Sequence, residues 1–282
     1  MTQLSPLGRF DKILVATDGS EFSAGAVRLA LLIAQRCQVT PTVMTIVLSN
    51  PEYDAIAPQL AGQAETRANE ILNEVSDQAA ALGISLDRVV CRGQDPYREI
   101  IQQAEDMQAD LIVMGRRGRR GLARMMVGDA TAKVCGHAKC SVLVVPKAAD
   151  MWTQRILVAT DGSRCSDAAA VAAGRLAELC ELPISVVSTV RPVHNQARQD
   201  QASAALARVM EAYRDQHLDT TGLLEQADRP EEAIVTAAVN EGADLIVVGS
   251  HGHTGLQKIL LGSVSERVIG LSQVPVLVVK AG

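Results

Sequence analysis

The chain has 282 residues, which is enough for two domains of ordinary size that each bury a core. Its net charge of −5 and its 2% content of aromatic residues argue against nucleic-acid partners and base-stacking surfaces. Residues 1–10 have no apolar signal segment and no run is as long as a membrane span, so we expect no membrane partner and a cytoplasmic protein with reduced cysteines.

Strands and helices alternate along the first part of the chain. Apolar runs predict strands at residues 12–17, 42–48, 85–91, 111–114 and 141–146. Helical spacing and end signals predict helices at residues 24–36, 59–82, 96–108 and 129–137. Because the strands are apolar throughout, they are typical of a parallel sheet that is covered by helices on both faces.

The same order of elements returns after a linker at residues 147–154. The second series has predicted strands at 155–160, 184–190, 221–226, 244–248 and 275–280. Its predicted helices are at 166–180, 196–216, 230–241 and 263–271. The linker contains the one tryptophan, Trp152, which we expect to pack between the two series.

Two recurring segments indicate that one domain is present twice. Residues 13–20, with the sequence ILVATDGS, recur unchanged at 156–163. The segment ADLIVMG at 109–115 returns as ADLIVVG at 243–249. Identity over such a run is not expected by chance, so we predict a first domain at residues 1–147 and a second at 154–282.

A glycine-rich loop follows the fourth strand of each repeat. In the second repeat it extends from Gly249 through Gly252 to Gly262, so glycines stand where a strand ends and where a helix begins. Such a loop can bring backbone N–H groups to an anion, with the positive end of a helix behind them. The spacing matches neither a Walker loop nor a dinucleotide-binding fingerprint.

Asp18 and Asp161 follow the first strand of the two repeats, each in an Asp-Gly-Ser triplet. Open parallel sheets bind ligands at the carboxyl ends of strands where the strand order reverses, so both aspartates are candidate ligand contacts. The alternative is that the triplet is only a turn and a helix cap.

Several residues of the loop have two interpretations. Ser263 and Glu266 have the spacing of a capping box, but an open helix N-terminus also binds phosphate, which is the interpretation we favour for Ser263. His251 and His253 are ligand contacts or part of a solvated loop, and they lack further residues at metal-ligand spacing.

Two other clusters also have a structural alternative. Cys135, His137 and Cys140 do not have a strong zinc spacing, so we favour structural thiols over a metal site. Segment 116–120, which contains four arginines, is a solvated charged face or a contact for an anionic partner.

Together these motifs resemble the universal stress protein family. The resemblance depends on the strand that precedes Asp-Gly-Ser, on the ADLIV-x-G segment with the G-x2-G-x9-G-S pattern at residues 249–263, and on the closing strand. It covers nearly the whole chain twice. It implies two tandem Rossmann-like α/β domains of the adenine nucleotide alpha hydrolase-like type, each with five parallel strands in the order 3-2-1-4-5. The fifth strands are then apolar edges, which we expect to pair antiparallel within the chain.

In the ATP-binding branch of this family the same motif holds the nucleotide. The resemblance therefore implies that ATP or AMP, with or without Mg²⁺, binds in the second repeat, with the adenine near Thr189. The other residues it implies there are Asp161, Gly249, Gly252, Gly262, Ser263 and Ser265. We add His251 as a candidate contact because it lies in the loop.

The first repeat departs from this motif at one position. Four of its residues match: Asp18, Gly115, Gly118 and Gly128. Asp129 stands where the motif has Ser or Thr; its carboxylate can satisfy the helix N-terminus and would repel a polyphosphate. We expect one nucleotide per chain, in the second repeat, with the first repeat empty or holding a weaker, less charged ligand.

The function that follows is a stress-response regulator that binds an adenine nucleotide and acts on protein clients that the sequence does not identify. A slow ATP phosphohydrolase is one alternative, although we find no assignable base or nucleophile. A nucleotide-independent interaction scaffold is the other. The sequence also leaves open a homodimer in addition to the pairing of the repeats within one chain.

Overall fold

The computed structural model describes residues 10–49, 56, 58–117, 127–192, 196–252 and 261–281. The first repeat contains β1 (Ile13–Ala16), α1 (Ala24–Cys37), β2 (Thr42–Leu48), α2 (Pro58–Ala81), β3 (Asp87–Gly93), α3 (Pro96–Asp106), β4 (Leu111–Gly115), α4 (Asp129–His137) and β5 (Ser141–Val145). The second contains β6 (Ile156–Ala159), α5 (Arg164–Cys180), β7 (Ile184–Val190), α6 (Gln196–Asp215), β8 (Thr220–Gln226), α7 (Pro230–Asn240), β9 (Leu245–Gly249), α8 (Ser263–Leu271) and β10 (Val276–Val279).

The described strands form one ten-stranded sheet in the order β3-β2-β1-β4-β5-β10-β9-β6-β7-β8. Within each repeat all neighbouring strands are parallel. Each repeat therefore has the predicted α/β architecture with the order 3-2-1-4-5, and this prediction is confirmed.

The two repeats meet through their fifth strands. β5 and β10 pair antiparallel, with Leu143 opposite Leu277 and Val144 opposite Val276. An exposed apolar edge would be a template for aggregation, and this pairing removes one such edge from each repeat. The predicted intrachain pairing is confirmed.

Helices cover both faces of the sheet, because side chains alternate between the faces along each strand. Ile13 and Val15 of β1 lie in the core that α1, α2, α5 and α6 cover, whereas Leu14 and Ala16 lie in the core under α3, α4, α7 and α8. Both cores contain residues of both repeats. Trp152 is 2% exposed in the first of these cores, where it lies among residues of the two repeats as predicted.

The third strand begins two residues later than the predicted segment 85–91. Asp87 is the first residue of β3 and lies opposite Thr42 of β2, where pairing starts. Residues 82–86 form the turn between α2 and β3, in which the Ile84 N–H donates to the carbonyl oxygen of Ala79 at 3.1 Å. Leu86 is apolar although it precedes β3, so the sequence pattern places the start of the strand too early.

Candidate functional site

The predicted site of the second repeat lies at the carboxyl edge of the sheet. β6 and β9 are parallel neighbours, so Asp161, which follows β6, and residues 250–252, which follow β9, leave the sheet side by side. Helices α5 and α8 begin at this same edge. The strand order reverses between β6 and β9, which is where open parallel sheets bind ligands.

Asp161 lies directly against the glycine loop. A Cβ atom on Gly252 would be 2.5 Å from Oδ2 of Asp161, so the loop approaches the carboxylate this closely only because residue 252 is glycine. Oδ1 of Asp161 accepts a hydrogen bond from the Ser163 N–H at 2.9 Å, and Asp161 remains exposed. Two predicted site residues that are distant in sequence are thus neighbours.

The turn after β6 also has the structural role that its sequence suggested. Gly162 has a φ of 77°, and its N–H donates to Oγ1 of Thr160 at 3.3 Å. Ser163 is the N-cap of α5, where its Oγ accepts from the Ser166 N–H at 3.2 Å. The turn and the cap use Gly162 and Ser163, and they leave the Asp161 side chain at the edge of the sheet.

Gly249 is required by packing. A Cβ atom there would lie 2.7 Å from the carbonyl carbon of Cys165 in the first turn of α5. Gly115 is in the same position in the first repeat, where a Cβ would lie 2.6 Å from the carbonyl oxygen of Phe22. Both glycines therefore let the start of a helix approach the end of a strand, whether or not a ligand is bound.

Gly262 closes the loop. Its N–H donates to the carbonyl oxygen of Ser250 at 2.9 Å, which ties the start of α8 to the end of β9. A Cβ on Gly262 would be 3.2 Å from that same oxygen. The bond places the helix N-terminus beside residues 250–252. The segment 253–260, with His253, lies outside the described residues.

The capping box, which was the alternative interpretation of Ser263, does not form. Gly262 is the N-cap of α8, and its carbonyl oxygen accepts from the Glu266 N–H at 2.9 Å. Ser263 is the first helical residue and is exposed. A capping box would need Ser263 to be the N-cap, but the loop-closing bond of Gly262 makes the helix begin one residue earlier. Ser263 therefore lies at the open helix N-terminus without being its N-cap.

Ser265 has a structural contact. It is 8% exposed, and its Oγ donates to the carbonyl oxygen of Gly249 at 2.7 Å. Thr131 makes the equivalent bond to the carbonyl oxygen of Gly115 at 3.0 Å. This hydroxyl fastens the helix to the strand in both repeats, and in Ser265 its proton is committed to Gly249.

His251 and Thr189 complete the predicted set. Nδ1 of His251 lies 3.0 Å from Oγ of Ser250, and Nε2 is buried without a hydrogen-bond partner in the described part of the chain. Thr189 lies in β7, two residues past Val187, which is opposite Ala159 of β6. Thr189 is therefore on the same edge as Asp161, one strand away.

The aspartate of the first repeat is engaged by its own turn. Oδ1 of Asp18 accepts hydrogen bonds from the N–H of Ser20 at 3.0 Å, from Oγ of Ser20 at 2.6 Å and from Oγ of Ser23 at 3.0 Å. Ser163 and Ser166 are the second-repeat counterparts of these serines. In the second repeat, Oγ of Ser163 donates to the carbonyl oxygen of His251 at 3.4 Å, whereas Oγ of Ser166 donates to that of Ser163 at 2.9 Å, as Ser23 also does to Ser20.

A side chain also covers the turn of the first repeat. A Cβ on Gly19 would be 2.5 Å from Cγ1 of Ile71, a residue of α2. With the 134-residue spacing that relates the two glycine loops, the counterpart of Ile71 is Ala205 in α6. The sequence alone does not indicate this difference, because only the packing of α2 over the turn makes position 71 relevant to the site.

The arginines that are described do not form a solvated face. Arg117 stacks on Phe22, with its guanidinium carbon 4.2 Å from the ring centroid. Nη1 of Arg116 donates to carbonyl oxygens of the second repeat, to Gly270 at 2.9 Å and to Ser272 at 3.0 Å. Residues 118–126, including Gly118 and the other two arginines, lie outside the described residues.

Asp129 is not the helix cap that we expected. The N-cap of α4 is Gly128, whose N–H donates to the carbonyl oxygen of Arg116 at 2.9 Å, so the first repeat has the same loop closure as the second. Asp129 is the first helical residue, and its carboxylate pairs with Nζ of Lys133 at 2.8 Å. Both groups are exposed, so the pair stabilises α4 only weakly.

The cysteines considered as metal ligands are buried thiols. Burial raises the pKa of Cys135 to about 12 and that of Cys140 to about 12, so neither is a ready thiolate at neutral pH. Nδ1 of His137 contacts the carbonyl oxygen of Lys133 at 2.8 Å. Among the described residues, no group of three or more His, Cys, Asp or Glu side chains could hold a metal ion.

The described residues also contain a pocket away from this site. A pocket of about 330 Å³ lies at the end of β8, with Asp228, Arg229 and Glu232 in its lining, and it does not include Asp161 or the glycine loop. No helix in the described ranges combines the length and the apolar character that crossing a membrane requires.

Comparison with known proteins supports the family resemblance over the whole chain. The sequence matches the universal stress protein family at residues 9–146 and again at 153–280. A universal stress protein of Mycolicibacterium smegmatis is 28% identical over 286 residues, which is 95% of this chain and 96% of that protein. Universal stress protein YxiE of Bacillus subtilis is 31% identical over 149 residues, which is 48% of this chain and 99% of that protein.

A solved structure has the same fold. The crystal structure of a universal stress protein from Archaeoglobus fulgidus covers 96% of this chain and 97% of its own, with a TM-score of 0.77 and 24% sequence identity. The two sequence matches and the ten-stranded sheet lead to one conclusion: the chain belongs to the universal stress protein family and contains two tandem copies of its domain.

Proposed function

We propose that the second repeat binds an adenine nucleotide, ATP or AMP, and that the protein is a stress-response regulator that responds to this ligand. The observation that carries the proposal is the contact between the exposed Asp161 carboxylate and the backbone of Gly252, beside the open N-terminus of α8. A carboxylate and a helix N-terminus at one edge of a parallel sheet suit a ligand with hydroxyl groups at one end and an anion at the other.

The charges of the two groups determine the orientation of such a ligand. Asp161 is negative and would repel phosphate, so it suits the nucleoside end, where ribose hydroxyl groups or the adenine amine can donate to it. The Ser263 N–H group and the Ser263 hydroxyl suit the phosphates, because the positive end of the helix dipole is there. The adenine would then lie toward Thr189, one strand beyond Asp161.

We further propose one nucleotide per chain. In the first repeat, Ile71 covers the turn at Gly19, and the Asp18 carboxylate already accepts three hydrogen bonds from Ser20 and Ser23. The carboxylate of Asp129 stands where the second repeat has the Ser263 hydroxyl. These side chains would weaken the binding of a polyphosphate in the first repeat. They support a regulatory or structural role for the first repeat.

The proposal includes a cytoplasmic location, since all six cysteines are free thiols and suit a reducing compartment. Protein clients would recognise the nucleotide-bound form, and a homodimer would add to the intrachain pairing of the repeats. Slow hydrolysis of bound ATP is a separate activity, which release of phosphate from the same samples would reveal.

Binding is tested directly on the purified full-length chain. Mass spectrometry of ligand released on denaturation identifies any nucleotide that co-purifies. Titration calorimetry with ATP and with AMP, each with and without Mg²⁺, should give one site per chain. Asp161→Asn is the matched variant, and it should weaken binding without unfolding the protein. If the unaltered chain binds neither nucleotide, the proposed function is wrong.

A further inference from the structure

The loop of the first repeat reaches the second repeat through Arg116. Nη1 of Arg116 donates to the carbonyl oxygens of Gly270 at 2.9 Å and Ser272 at 3.0 Å. Gly270 lies in the last turn of α8 and Ser272 is its C-cap. This is the helix whose N-terminus, at Gly262 and Ser263, forms the phosphate end of the proposed site.

Arg116 is held firmly in its own repeat. Its N–H donates to the carbonyl oxygen of Val145 at 3.2 Å, and its carbonyl oxygen accepts from the Gly128 N–H at 2.9 Å. The side chain is partly buried, and burial lowers the pKa of the Arg116 guanidinium, although arginine remains charged. A fixed positive charge at the C-terminus of α8 faces the negative end of the helix dipole and satisfies carbonyl groups that have no partner within the helix.

The second repeat does not return this contact. Ser250 is the counterpart of Arg116, and its backbone makes the same two bonds, to Val279 at 2.9 Å and from Gly262 at 2.9 Å. Its side chain stays within the repeat, where Oγ lies 3.8 Å from Sγ of Cys165. The pseudo-symmetric loop position therefore carries an arginine only in the first repeat.

Helix α4 of the first repeat is held in a different way. Nζ of Lys280, at the end of β10, donates to the carbonyl oxygens of Gly136 at 2.8 Å and of Cys135. Each of these two helices therefore has its C-terminus bound by a cation from the other repeat. Only for α8 does that cation come from a glycine-rich loop.

We propose that Arg116 is a positioning residue for nucleotide binding: it fixes α8 by its C-terminus, so that the groups at its N-terminus stay aligned with the phosphates. The inference rests on the proposed function. Helix α8 has nine residues, which is too short to be stable without tertiary contacts. The nucleotide site is formed only in molecules that have α8 in place. If these are a fraction of the total, the measured dissociation constant rises by the inverse of that fraction.

The test compares ATP with adenosine, which has no phosphate. Arg116→Met removes the charge and keeps much of the side-chain volume. We expect its ATP affinity to fall about three- to thirtyfold, the range that corresponds to a charge at a helix terminus, while adenosine affinity stays unchanged. Arg116→Lys keeps the charge and should recover part of the loss. Hydrogen exchange should be faster at residues 263–271 in Arg116→Met.

Arg28→Met is the matched control. Arg28 also donates to a backbone carbonyl, that of Ala149 at 2.7 Å, but it lies on α1 and does not contact α8 through this bond. It should lower stability without a selective effect on ATP. Equal losses of ATP and adenosine affinity in Arg116→Met, or no loss of either, would overturn this inference alone. Failure of the unaltered chain to bind ATP would overturn the proposed function, and this inference with it.

Discussion

Asp161 and Asp18 follow equivalent strands, but the space above them differs. Asp161 is exposed beside Gly252, and the residue of α6 that corresponds to Ile71 is the small Ala205. Asp18 accepts three hydrogen bonds from its own turn, and Ile71 covers the adjacent Gly19. The two repeats thus share the same backbone structure at this edge of the sheet. They differ in whether side chains occupy the space next to the aspartate.

The shared part is a set of contacts that fold the loop. Gly128 and Gly262 donate the same loop-closing bond, and Thr131 and Ser265 make the same bond from helix to strand. These motif residues stabilise the loop in both repeats, with or without a ligand. A match to the glycine pattern therefore does not by itself establish a nucleotide site, which depends on a few side chains outside the glycines.

The largest effect that would separate the repeats is expected from Ser263→Asp, which copies Asp129 into the second repeat. Two unit charges about 4 Å apart repel by roughly 4 kcal/mol at an effective dielectric constant near 20. Even a partly screened repulsion should weaken ATP binding at least about a hundredfold, while adenosine binding changes little. Arg267, in the place of Lys133, cannot readily neutralise the new charge because it already pairs with Glu231 at 3.1 Å. Titration calorimetry measures both affinities.

Ser263→Ala is the control for this variant, since it removes the hydroxyl without adding charge and should cost far less affinity. The melting temperature of Ser263→Asp should stay close to that of the unaltered chain, because an acidic residue in the first helical turn is favourable. Unchanged ATP affinity in Ser263→Asp would mean that α8 does not receive the phosphates.

Gly115→Ala and Gly249→Ala should destabilise the fold to a similar degree. Each added Cβ would meet backbone atoms of a helix start, at 2.6 Å from Phe22 and at 2.7 Å from Cys165. Overpacking of this kind costs about 1–3 kcal/mol, which urea unfolding of the two variants would measure. Gly62→Ala is a suitable control, because a Cβ there meets nothing within 4 Å. A large cost at Gly249 alone would show that the two packing contacts are not equivalent.

Exchanging the residues at positions 71 and 205 should move binding between the repeats. Ala205→Ile brings the larger side chain over the second-repeat turn, and we expect ATP affinity to fall roughly tenfold through the volume added there. Ile71→Ala combined with Asp129→Ser should raise the number of ATP sites per chain from one toward two, whereas Asp129→Ser alone should leave Ile71 in place and the stoichiometry near one. Equilibrium dialysis counts the sites.

The matched control for this exchange is Ala205→Ser, which adds little volume and should leave ATP affinity unchanged. Two sites in Asp129→Ser without any change at Ile71 would show that charge, and not the cover over Gly19, keeps the first repeat from binding.

The smallest predicted difference between the repeats is in alkaline stability. Burial raises the pKa of Cys135 and of Cys140 from 9.0 to about 12, so the folded state retains protons that the unfolded state loses. Their contribution is fully present below pH 9 and is lost as pH rises toward about 12, at roughly 1 kcal/mol per thiol by pH 10. Ile269 and Val274 occupy these positions in the second repeat, so these two thiols act only in the first, although burial also raises the pKa of Cys180 in the second.

Urea midpoints at pH 8 and pH 10 measure this slope, and Cys135→Ala with Cys140→Val should reduce it. Lys280 acts in the opposite direction, because burial lowers its pKa and stability then rises with pH as the unfolded lysine retains its proton longer. An unchanged slope in the double variant would mean that the two thiols do not cause it.

Local sequence patterns were sufficient to predict the repeat and most of its elements. The duplicated ILVATDGS segment requires two copies of one domain, and continuous apolar strands separated by helices require a covered parallel sheet. The pairing of β5 with β10 followed from their apolar edges once the strand order implied by the family was used. These predictions succeeded because each depends on residues close together in the chain or on a repeated pattern.

The helix caps lie one residue earlier in the chain than the spacing of the sequence suggests. Asp129 was expected to cap its helix and capping was one of the two interpretations of Ser263, but the loop-closing bonds of Gly128 and Gly262 make those glycines the caps. The capping spacing in the sequence is compatible with either position. The hydrogen bond that closes each loop, to Ser250 or to Arg116, determines which residue becomes the cap.

The linear pattern determined that a glycine loop and an aspartate recur at equivalent places in the two repeats. Packing between distant segments decided what surrounds them: Ile71 lies over Gly19 because α2 crosses that turn, and Arg116 reaches Gly270 because β5 and β10 pair. Neither neighbour has a signal in the sequence, since a side chain's position in space follows from the complete fold, whereas a motif records only its position along the chain.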